Sequence, residues 1–210
     1  MFTDRTDAGH RLADVLDGHD IDADIVLAIP RGGLPVGRAV ADRLRIPLDV
    51  VAARKIGAPW NPELAVGAVA SDGAVWLNDS LIDSFGVSDA DVEAGIARER
   101  EAAREKVDRY RAGRPPLDLR GKTVIVVDDG VATGATMIAC LRQVRSGGAA
   151  RVVAAVPVAP PDTIERLRPE ADDVISAETP PHFRAVGQFY RSFEQIPDER
   201  AAAYLSVDEE

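Results

Sequence analysis

Apolar and polar positions follow two alternating patterns along the chain. Short runs of consecutive apolar residues are separated by segments in which apolar residues recur every three or four positions. This alternation predicts parallel strands joined by crossover helices, and therefore an α/β fold with a mainly parallel central sheet flanked by helices. The predicted strands are residues 24–30, 48–54, 122–129, 150–158 and 172–177, and the predicted helices are residues 34–44, 133–146 and 161–168.

Two segments depart from this alternation. Residues 63–78 alternate around a Ser71-Asp72-Gly73 turn, which predicts a β-hairpin. Residues 88–111 begin with a capping serine and carry many charges of both signs, which predicts a solvent-exposed helix that packs only a narrow apolar stripe. Residues 113–118, GRPPLD, indicate a connector. We expect the 210 residues to form one domain.

Composition excludes several classes of protein. The single cysteine, Cys140, has no partner for an internal disulfide or a cysteine-cluster zinc site. No apolar run approaches membrane-spanning length and the charged N-terminus is unlike a secretory signal, so we expect a cytoplasmic protein with no membrane partner. The formal net charge is −10, from 35 acids against 25 lysines and arginines. Because such a surface repels phosphate backbones, no nucleic-acid partner is expected.

The stretch VIVVDDGVATGAT, residues 124–136, carries the clearest chemistry. An apolar strand ends on Asp128 and Asp129, at the edge of the sheet where ligands of parallel sheets bind. The small loop that follows runs into a helix, so its backbone N–H groups and the helix dipole form an anion site that suits phosphate. No lysine follows the glycine of this loop, which excludes the nucleoside-triphosphate P-loop pattern.

The two carboxylates would repel a phosphate, so they require a different partner. Sugar hydroxyls donate hydrogen bonds that carboxylates accept, and a phosphate beside a vicinal diol describes a ribose 5-phosphate. The alternative is a strand that ends in a solvated Asp-Asp turn. The attached Thr-Gly-Ala-Thr loop and the helix after it favour the sugar phosphate.

The same stretch resembles the phosphoribosyl pyrophosphate (PRPP) motif of the type I phosphoribosyltransferases. IPRGGLPVG, residues 29–37, resembles the pyrophosphate loop of that family, in which a cis non-proline peptide is frequent. ARKIG, residues 53–57, resembles the basic strand end that opens a mobile loop, and the aromatic segment 179–199 resembles the hood that covers the acceptor base. The resemblance extends over essentially the whole chain and is loosest in the first twenty residues and between residues 78 and 116.

This resemblance implies a type I phosphoribosyltransferase fold with a β-hairpin flap and a small C-terminal hood, all within a single domain of residues 1–210. It implies transfer of a 5-phosphoribosyl group from PRPP to a nitrogen acceptor, with Mg2+ as cofactor, release of pyrophosphate, and a homodimer. The residues implied in catalysis are Arg31, Lys55, Asp128 and Asp129, and the two aspartates would hold Mg2+ indirectly, through ribose hydroxyls and water. Those implied in PRPP binding are Arg31, Gly32, Gly33, Asp128, Asp129, Gly130, Val131, Ala132, Thr133, Gly134, Ala135 and Thr136, and those implied in acceptor binding are His182, Phe183, Val186 and Tyr190.

Several alternatives stay open from the sequence. Arg54 and Lys55 are either diphosphate ligands or an ion-paired strand end. Residues 63–78 are either a lid over the site or a static arm used in dimerisation. The aromatic tail is either a hood over the acceptor or the ordinary packing of a terminal segment. Ala132 stands where several purine-using members of the family carry an acid, so the acceptor is not named. The competing functions are a non-catalytic PRPP sensor that binds protein, and a hydrolase or kinase-like protein that uses Asp128 or Asp129 as a nucleophile or a metal ligand.

Overall fold

The computed structural model describes residues 1–206, except for the side chain of residue 63. In chain order the elements are α1 (Arg5–Asp17), β1 (Ile25–Ala28), α2 (Gly33–Leu44), β2 (Leu48–Val50), β3 (Ala53–Ala58), β4 (Asn61–Ala70), β5 (Val75–Leu77), α3 (Asp79–Phe85), α4 (Asp89–Tyr110), β6 (Thr123–Val127), α5 (Ala135–Ser146), β7 (Arg151–Val158), α6 (Pro161–Leu167), β8 (Asp173–Glu178), a 3-10 helix (Val186–Phe189) and α7 (Asp198–Ala203). Within this part of the chain, five parallel strands form the central sheet in the order β2-β1-β6-β7-β8. The predicted α/β fold with a mainly parallel sheet is confirmed.

The central sheet is buried on both faces, as parallel strands joined by helices require. Val26 and Ile125 belong to one apolar layer, which includes residues of α1 and α2. Leu27 and Val126, their neighbours along the same strands, belong to the opposite layer, which includes α5. Successive side chains of a strand point to opposite faces, so each strand contributes to both layers and its sequence is apolar throughout.

The prediction of one strand over residues 48–54 is wrong. The chain leaves the central sheet after β2, and β3 begins a separate antiparallel sheet with β4 and β5. At the crossing, Val51 donates its N–H to Ala28 of the central sheet, whereas the carbonyl of Ala52 accepts from Ser71 of the second sheet. Val51 and Ala52 are both buried, so the apolar run continues without a break where the chain passes from one sheet to the other. The sequence pattern therefore does not mark the boundary between the two strands.

The predicted β-hairpin over residues 63–78 is confirmed as the β4–β5 pair. β4 also pairs with β3, which the sequence did not indicate, and the two strands form a longer hairpin closed at residues 59–60. Val66 and Val69 of β4 are buried in an apolar cluster with α4. The middle of β4 is therefore packed against α4.

Helix α4 has the narrow apolar stripe that the sequence predicted. Ser88 caps it, since its Oγ accepts the N–H of Asp91 at 3.2 Å. Its buried residues are Val92, Gly95, Ala103 and Tyr110, which lie on one side of a helix that is otherwise polar. α4 lies against β3 and β4, and this contact brings its charged side chains to the sheet edge that is described below.

The two ends of the described chain pack together. Phe2 forms a β-bridge with Tyr190, and both belong to an aromatic cluster with partly buried Phe183, Val186 and Phe189. This cluster covers Val158, at the carboxyl end of β7, so the segment after β8 lies over the same edge of the sheet as the loop after β6. None of the helices in residues 1–206 combines the length and the apolarity needed to cross a membrane.

Candidate functional site

Two loops meet at the carboxyl edge of the central sheet. β1 and β6 are neighbours with Ala28 opposite Val127, so the segments that follow them, residues 29–33 and 128–134, lie side by side. A Cβ on Gly32 would lie 2.0 Å from Oδ2 of Asp129, so only glycine permits this approach. The Pro30–Arg31 peptide bond in the first loop is cis. The resemblance implied such a bond in this loop.

The acidic pair is held from several sides. Asp128 Oδ1 accepts the N–H of Asp129 at 2.8 Å, and Asp129 Oδ2 accepts from Arg5 Nε at 2.7 Å. The hydroxyl of Tyr190 donates to the carbonyl oxygen of Asp129. Burial raises the pKa of Asp128 well above its usual range, and the charge of Asp129 raises it further. Burial also raises the pKa of Asp129, although the hydrogen bond from Arg5 opposes this. The pair is thus placed to favour ligands that donate hydrogen bonds or carry positive charge.

Arg5 is a site residue that the sequence analysis missed. Besides binding Asp129, it donates from Nη1 to the carbonyl oxygen of Glu194 at 2.9 Å, and its guanidinium lies 3.9 Å from the ring centroid of Phe193. It therefore connects α1, the C-terminal segment and the acidic pair. Arg5 is 124 residues away from Asp129 in the chain, and no local pattern marks it.

The loop after the acidic pair is turned so that its carbonyls face away from the cleft. Ala132 O accepts from Thr163 Oγ1 at 2.6 Å, and Thr133 O accepts from Arg166 Nη1 at 2.5 Å, both donors belonging to α6. Gly134 has φ +87°, a left-handed conformation that favours glycine, and α5 begins at the next residue. The result is a cavity of about 160 Å³ at the N-terminus of a 12-residue helix, lined by residues 130–137 with Lys55, Asp128 and Val186.

A larger cleft of about 740 Å³ adjoins this cavity and shares Lys55, Asp128 and Thr136 with it. One wall consists of Ile29 and Pro30 from the loop after β1, Asp128 after β6, and Thr136 at the start of α5. The opposite wall comes from β3, the β3–β4 turn and α4. That wall is cationic, and its basic side chains are Arg54, Lys55, Arg98 and Lys106, with Glu99 among them.

The structure distinguishes the two basic residues at the start of β3. Arg54 donates from Nε to Glu99 Oε2 at 3.2 Å, so the ion-paired interpretation holds for this residue. Lys55 instead lines both the larger cleft and the smaller cavity. Of the two residues, Lys55 is the one placed to contact a ligand that occupies both the cleft and the cavity.

Lys106 is the second site residue that the sequence analysis missed. Its Nζ donates to the carbonyl oxygen of Pro30 at 2.5 Å, within the loop that carries the cis peptide. Burial lowers the pKa of Lys106, while the charge of Asp128 opposes that shift. One feature of the sequence marks Lys106, because it is one of only three lysines in an arginine-rich chain. The prediction of a solvent-exposed helix over residues 88–111 assigned no functional role to Lys106.

Arg31 is not among the residues that line the larger cleft. Its Nη1 lies 3.8 Å from Oδ1 of Asp198, at the beginning of α7. It faces a side cavity of about 370 Å³, which we define by its lining residues: Arg31, Arg54, Ala102, Glu105, Lys106, Arg109 and Asp198. Arg54 and Lys106 also line the larger cleft, so they separate the two spaces.

The four residues predicted to bind an acceptor occupy different environments. Val186 lines the cavity over residues 130–137, and the ring of Phe183 packs against Phe189 with 5.1 Å between centroids. Tyr190 is buried, and its hydroxyl supports the back of the acidic pair. His182 is exposed, and its carbonyl oxygen accepts from Gln188. Of this set, Val186 is the one that lines the cavity at the N-terminus of α5.

Comparison with known proteins adds to this geometry. Residues 4–194 match the family described as Phosphoribosyl transferase domain. The chain belongs to this family. The crystal structure of TT1426 from Thermus thermophilus is 44% identical and superposes with a TM-score of 0.82, over 98% of this chain and 97% of that one. The fold is accordingly that of the type I phosphoribosyltransferases.

Two curated relatives come from Mycobacterium tuberculosis, strains CDC 1551 and H37Rv, and each carries the name "Putative phosphoribosyl transferase". Each is 42% identical over 205 residues, which is 98% of this chain and 46% of the relative. The chain therefore spans about half the length of the curated relatives it matches.

Proposed function

We propose that the protein is a phosphoribosyltransferase that binds PRPP with Mg2+ and transfers its 5-phosphoribosyl group to a nitrogen acceptor, a nucleobase or a related small molecule. One observation carries the proposal: Asp128 of the acidic pair and Lys55 line both an anion cavity at the N-terminus of α5 and a larger cleft with a cationic wall. PRPP has a phosphate at one end, ribose hydroxyls in the middle and a diphosphate at the other end. The order of charges along the site supports this ligand.

The acidic pair fits an indirect role toward Mg2+. In residues 1–206 no group of three or more His, Cys, Asp or Glu side chains is placed to hold a metal ion. Mg2+ commonly keeps several waters and is bound through one or two carboxylates together with substrate phosphates. Asp128 would supply such a carboxylate from the lining of the cleft, with Asp129 adjacent to it, and a bound ion would neutralise charge on the departing diphosphate.

Residues of the protein would stabilise the leaving group and bind the 5-phosphate. In the transfer, the bond from the anomeric carbon to the diphosphate oxygen breaks and a bond to the acceptor nitrogen forms. Lys55 would stabilise negative charge on the leaving group, and Arg31 is the second residue proposed for that role. Residues 130–136 would hold the 5-phosphate, a remote grip that positions the sugar for reaction.

Water must be excluded during such a transfer, and residues 63–78 were the predicted lid. Much of that hairpin is buried against α4 and α5, whereas Pro59 of the β3–β4 turn and Pro62 at the start of β4 line the cleft. We therefore propose residues 59–62, which precede the predicted segment, as the lid in its place. Homodimerisation and an aromatic hood over the acceptor stay predictions.

Calorimetry with Mg2+-PRPP tests the ligand site. The double variant Asp128→Asn, Asp129→Asn should lose detectable binding and keep the native circular dichroism spectrum. A matched control is Asp14→Asn, Asp17→Asn, which removes the same charge at an exposed ion-paired site on Arg43 and should bind like the wild type. Retained affinity in the Asp128, Asp129 variant would contradict the diol assignment.

Diphosphate release across a panel of nucleobases and small amines tests the transfer itself. Release with one acceptor class would identify the enzyme and its substrate. Binding of Mg2+-PRPP without release for any member of the panel would contradict the transfer and would favour the sensor.

A further inference from the structure

The two carboxylates of the acidic pair have different surroundings. Asp128 lines both the larger cleft and the cavity at the N-terminus of α5, whereas Asp129 is not among the residues that line either space. Oδ1 of Asp128 accepts the N–H of Asp129 at 2.8 Å, and no group in the described part of the chain donates to its Oδ2. Asp128 therefore has a carboxylate oxygen that a ligand in the cleft can use.

Asp129 is directed toward other parts of the protein. Its Oδ2 lies 2.7 Å from Nε of Arg5, and each of these two side chains is only 13% exposed. The carboxylate also lies against the backbone of Gly32, where an added Cβ would be 2.0 Å from Oδ2 and 3.1 Å from Oδ1. Between the guanidinium and this backbone, the carboxylate has little room for a sugar hydroxyl.

Arg5 is itself held firmly in position. It is the first residue of α1, and Asp4 caps that helix by accepting the N–H of Asp7 at 2.9 Å. Just before the cap, Phe2 is fully buried and makes backbone hydrogen bonds of 2.7 and 2.9 Å with residues 189–191. The guanidinium is fixed further by its contacts with the C-terminal segment, so the N-terminus holds it at the acidic pair.

The ion pair of Arg5 with Asp129 lies where the loop after β1 meets the loop after β6. Removal of one partner from a mostly buried ion pair is costly, because the other charge is left without compensation. Without Arg5, the charge of Asp129 would remain buried beside Gly32, and the two loops would have to separate to hydrate it. The pair therefore maintains the contact between the loops.

We propose that the acidic pair is divided in function: Asp128 is the carboxylate that binds the ligand, and Asp129 is a positioning residue that, together with Arg5, fixes the loop after β6 against the loop after β1. This inference rests on the PRPP site proposed above and gives its two acids unequal roles. It also makes residues 2–5 part of the framework of the site, although they lie more than a hundred residues from the acids in the chain.

A double-mutant cycle on Mg2+-PRPP binding, measured by calorimetry, tests this division. Arg5→Met should weaken binding by about tenfold, because the buried charge of Asp129 loses its partner. Adding Asp129→Asn removes that charge, so the double variant should bind at least as tightly as Arg5→Met alone. Adding Asp128→Asn to Arg5→Met instead should weaken binding by a further factor of about 100.

Thermal unfolding without ligand measures the same ion pair independently of PRPP. Arg5→Met and Asp129→Asn should each lower Tm by roughly 5 °C or more, and the double variant should lose no more than the larger of the two. Arg5→Lys keeps a charge beside Asp129 and should restore most of the affinity for Mg2+-PRPP. Arg11→Met removes a half-exposed arginine from the same helix and should bind like the wild type.

Two results would overturn the division of roles. A further loss of more than about twofold when Asp129→Asn is added to Arg5→Met would show that Asp129 contacts the ligand directly. Additive losses of Tm in the ligand-free protein would show that Arg5 and Asp129 do not act as a pair. Failure of the wild type to bind Mg2+-PRPP would contradict the proposed function as well, whereas the first two results would leave that function standing.

Discussion

The two walls of the site are built in different ways. The wall with the acidic pair and the phosphate loop, which borders the smaller cavity and reaches the cleft at Asp128 and Thr136, comes from nine consecutive residues, 128–136, between the end of β6 and the first turn of α5. The cationic wall comes from Arg54, Lys55, Arg98 and Lys106, which β3 and α4 bring together across about fifty residues of chain. The first wall acts largely through backbone, and its loop is anchored to α6. The second wall would contact a ligand through the long basic side chains of β3 and α4.

This difference has consequences for how each wall responds to change. A backbone loop fixed by hydrogen bonds tolerates little added volume, because any shift moves several groups at once. Lysine and arginine side chains reorient more readily, and the ion pair of Arg54 with Glu99 is partly exposed. Added volume against the first wall should therefore have a larger effect on ligand binding than the loss of a side-chain contact in the second.

The largest effect is expected from Gly32→Ala. The added Cβ would lie 2.0 Å from Oδ2 of Asp129, a carboxylate that Arg5 holds in place, so the two loops must separate. Affinity for Mg2+-PRPP should fall by about 100-fold or more, measured by calorimetry. Gly18→Ala is the matched control, since its Cβ would meet nothing nearer than 3.4 Å and its φ is −76°. Wild-type affinity in the Gly32 variant would show that the contact between the loops is dispensable.

A smaller effect is expected from Lys106→Met in the second wall. The variant keeps the aliphatic stem and removes the donor to the carbonyl of Pro30, so the loop of residues 30–33 loses one support. We expect roughly tenfold weaker Mg2+-PRPP binding, because a hydrogen bond from a charged group is worth about 1.5–3 kcal/mol. Lys122→Met, at the start of β6 and away from the cleft, is the control. A loss as large as that of Gly32→Ala would remove the proposed difference between the walls.

Thr163→Val tests the anchor of the phosphate loop. Thr163 is fully buried and donates to the carbonyl of Ala132, and valine has nearly the same shape without the donor. The unpaired carbonyl should lower stability by about 1–2 kcal/mol and weaken PRPP binding by roughly fivefold. Thr163→Ser, which keeps the hydroxyl, should restore most of the binding. Chemical denaturation and calorimetry measure the two quantities, and unchanged binding would mean that the loop is held without this bond.

The smallest effect concerns stability and its dependence on pH. Because the folded protein raises the pKa of Asp128, folding favours the protonated carboxyl, and the resulting stability is lost as pH rises through the folded-state pKa. Asp128→Asn should therefore match the wild type at acid pH and exceed it at pH 7.5 by about 1 kcal/mol, or roughly 2–4 °C in Tm. Thermal unfolding across this pH range measures the difference.

Asp172→Asn is expected to have the opposite effect on stability at neutral pH. The backbone N–H of Val152 lowers the pKa of Asp172, so this carboxylate adds stability above its unfolded-state pKa that is lost as pH falls. The variant should thus be less stable than the wild type at neutral pH. A Tm for Asp128→Asn below that of the wild type at pH 7.5 would contradict the assigned burial of the acidic pair.

The sequence by itself determined the central sheet and the wall formed by residues 128–136. Parallel strands buried on both faces have a continuous apolar signature, and the acids, glycines and threonines of one loop are adjacent in the chain, so their chemistry could be predicted together. The same reasoning placed the hairpin and the stripe on α4, because the periods of strands and helices are local properties.

Only the tertiary structure decided the rest of the site. Arg5 reaches Asp129, Lys106 reaches Pro30, and Arg31 pairs with Asp198, and each pair is separated by more than seventy residues. The division of residues 48–54 between two sheets was hidden for a related reason, since burial in either sheet demands the same apolar residues. Local patterns specify which face of an element is buried, but contacts between side chains of different elements depend on how the elements pack, and no spacing along the chain encodes that.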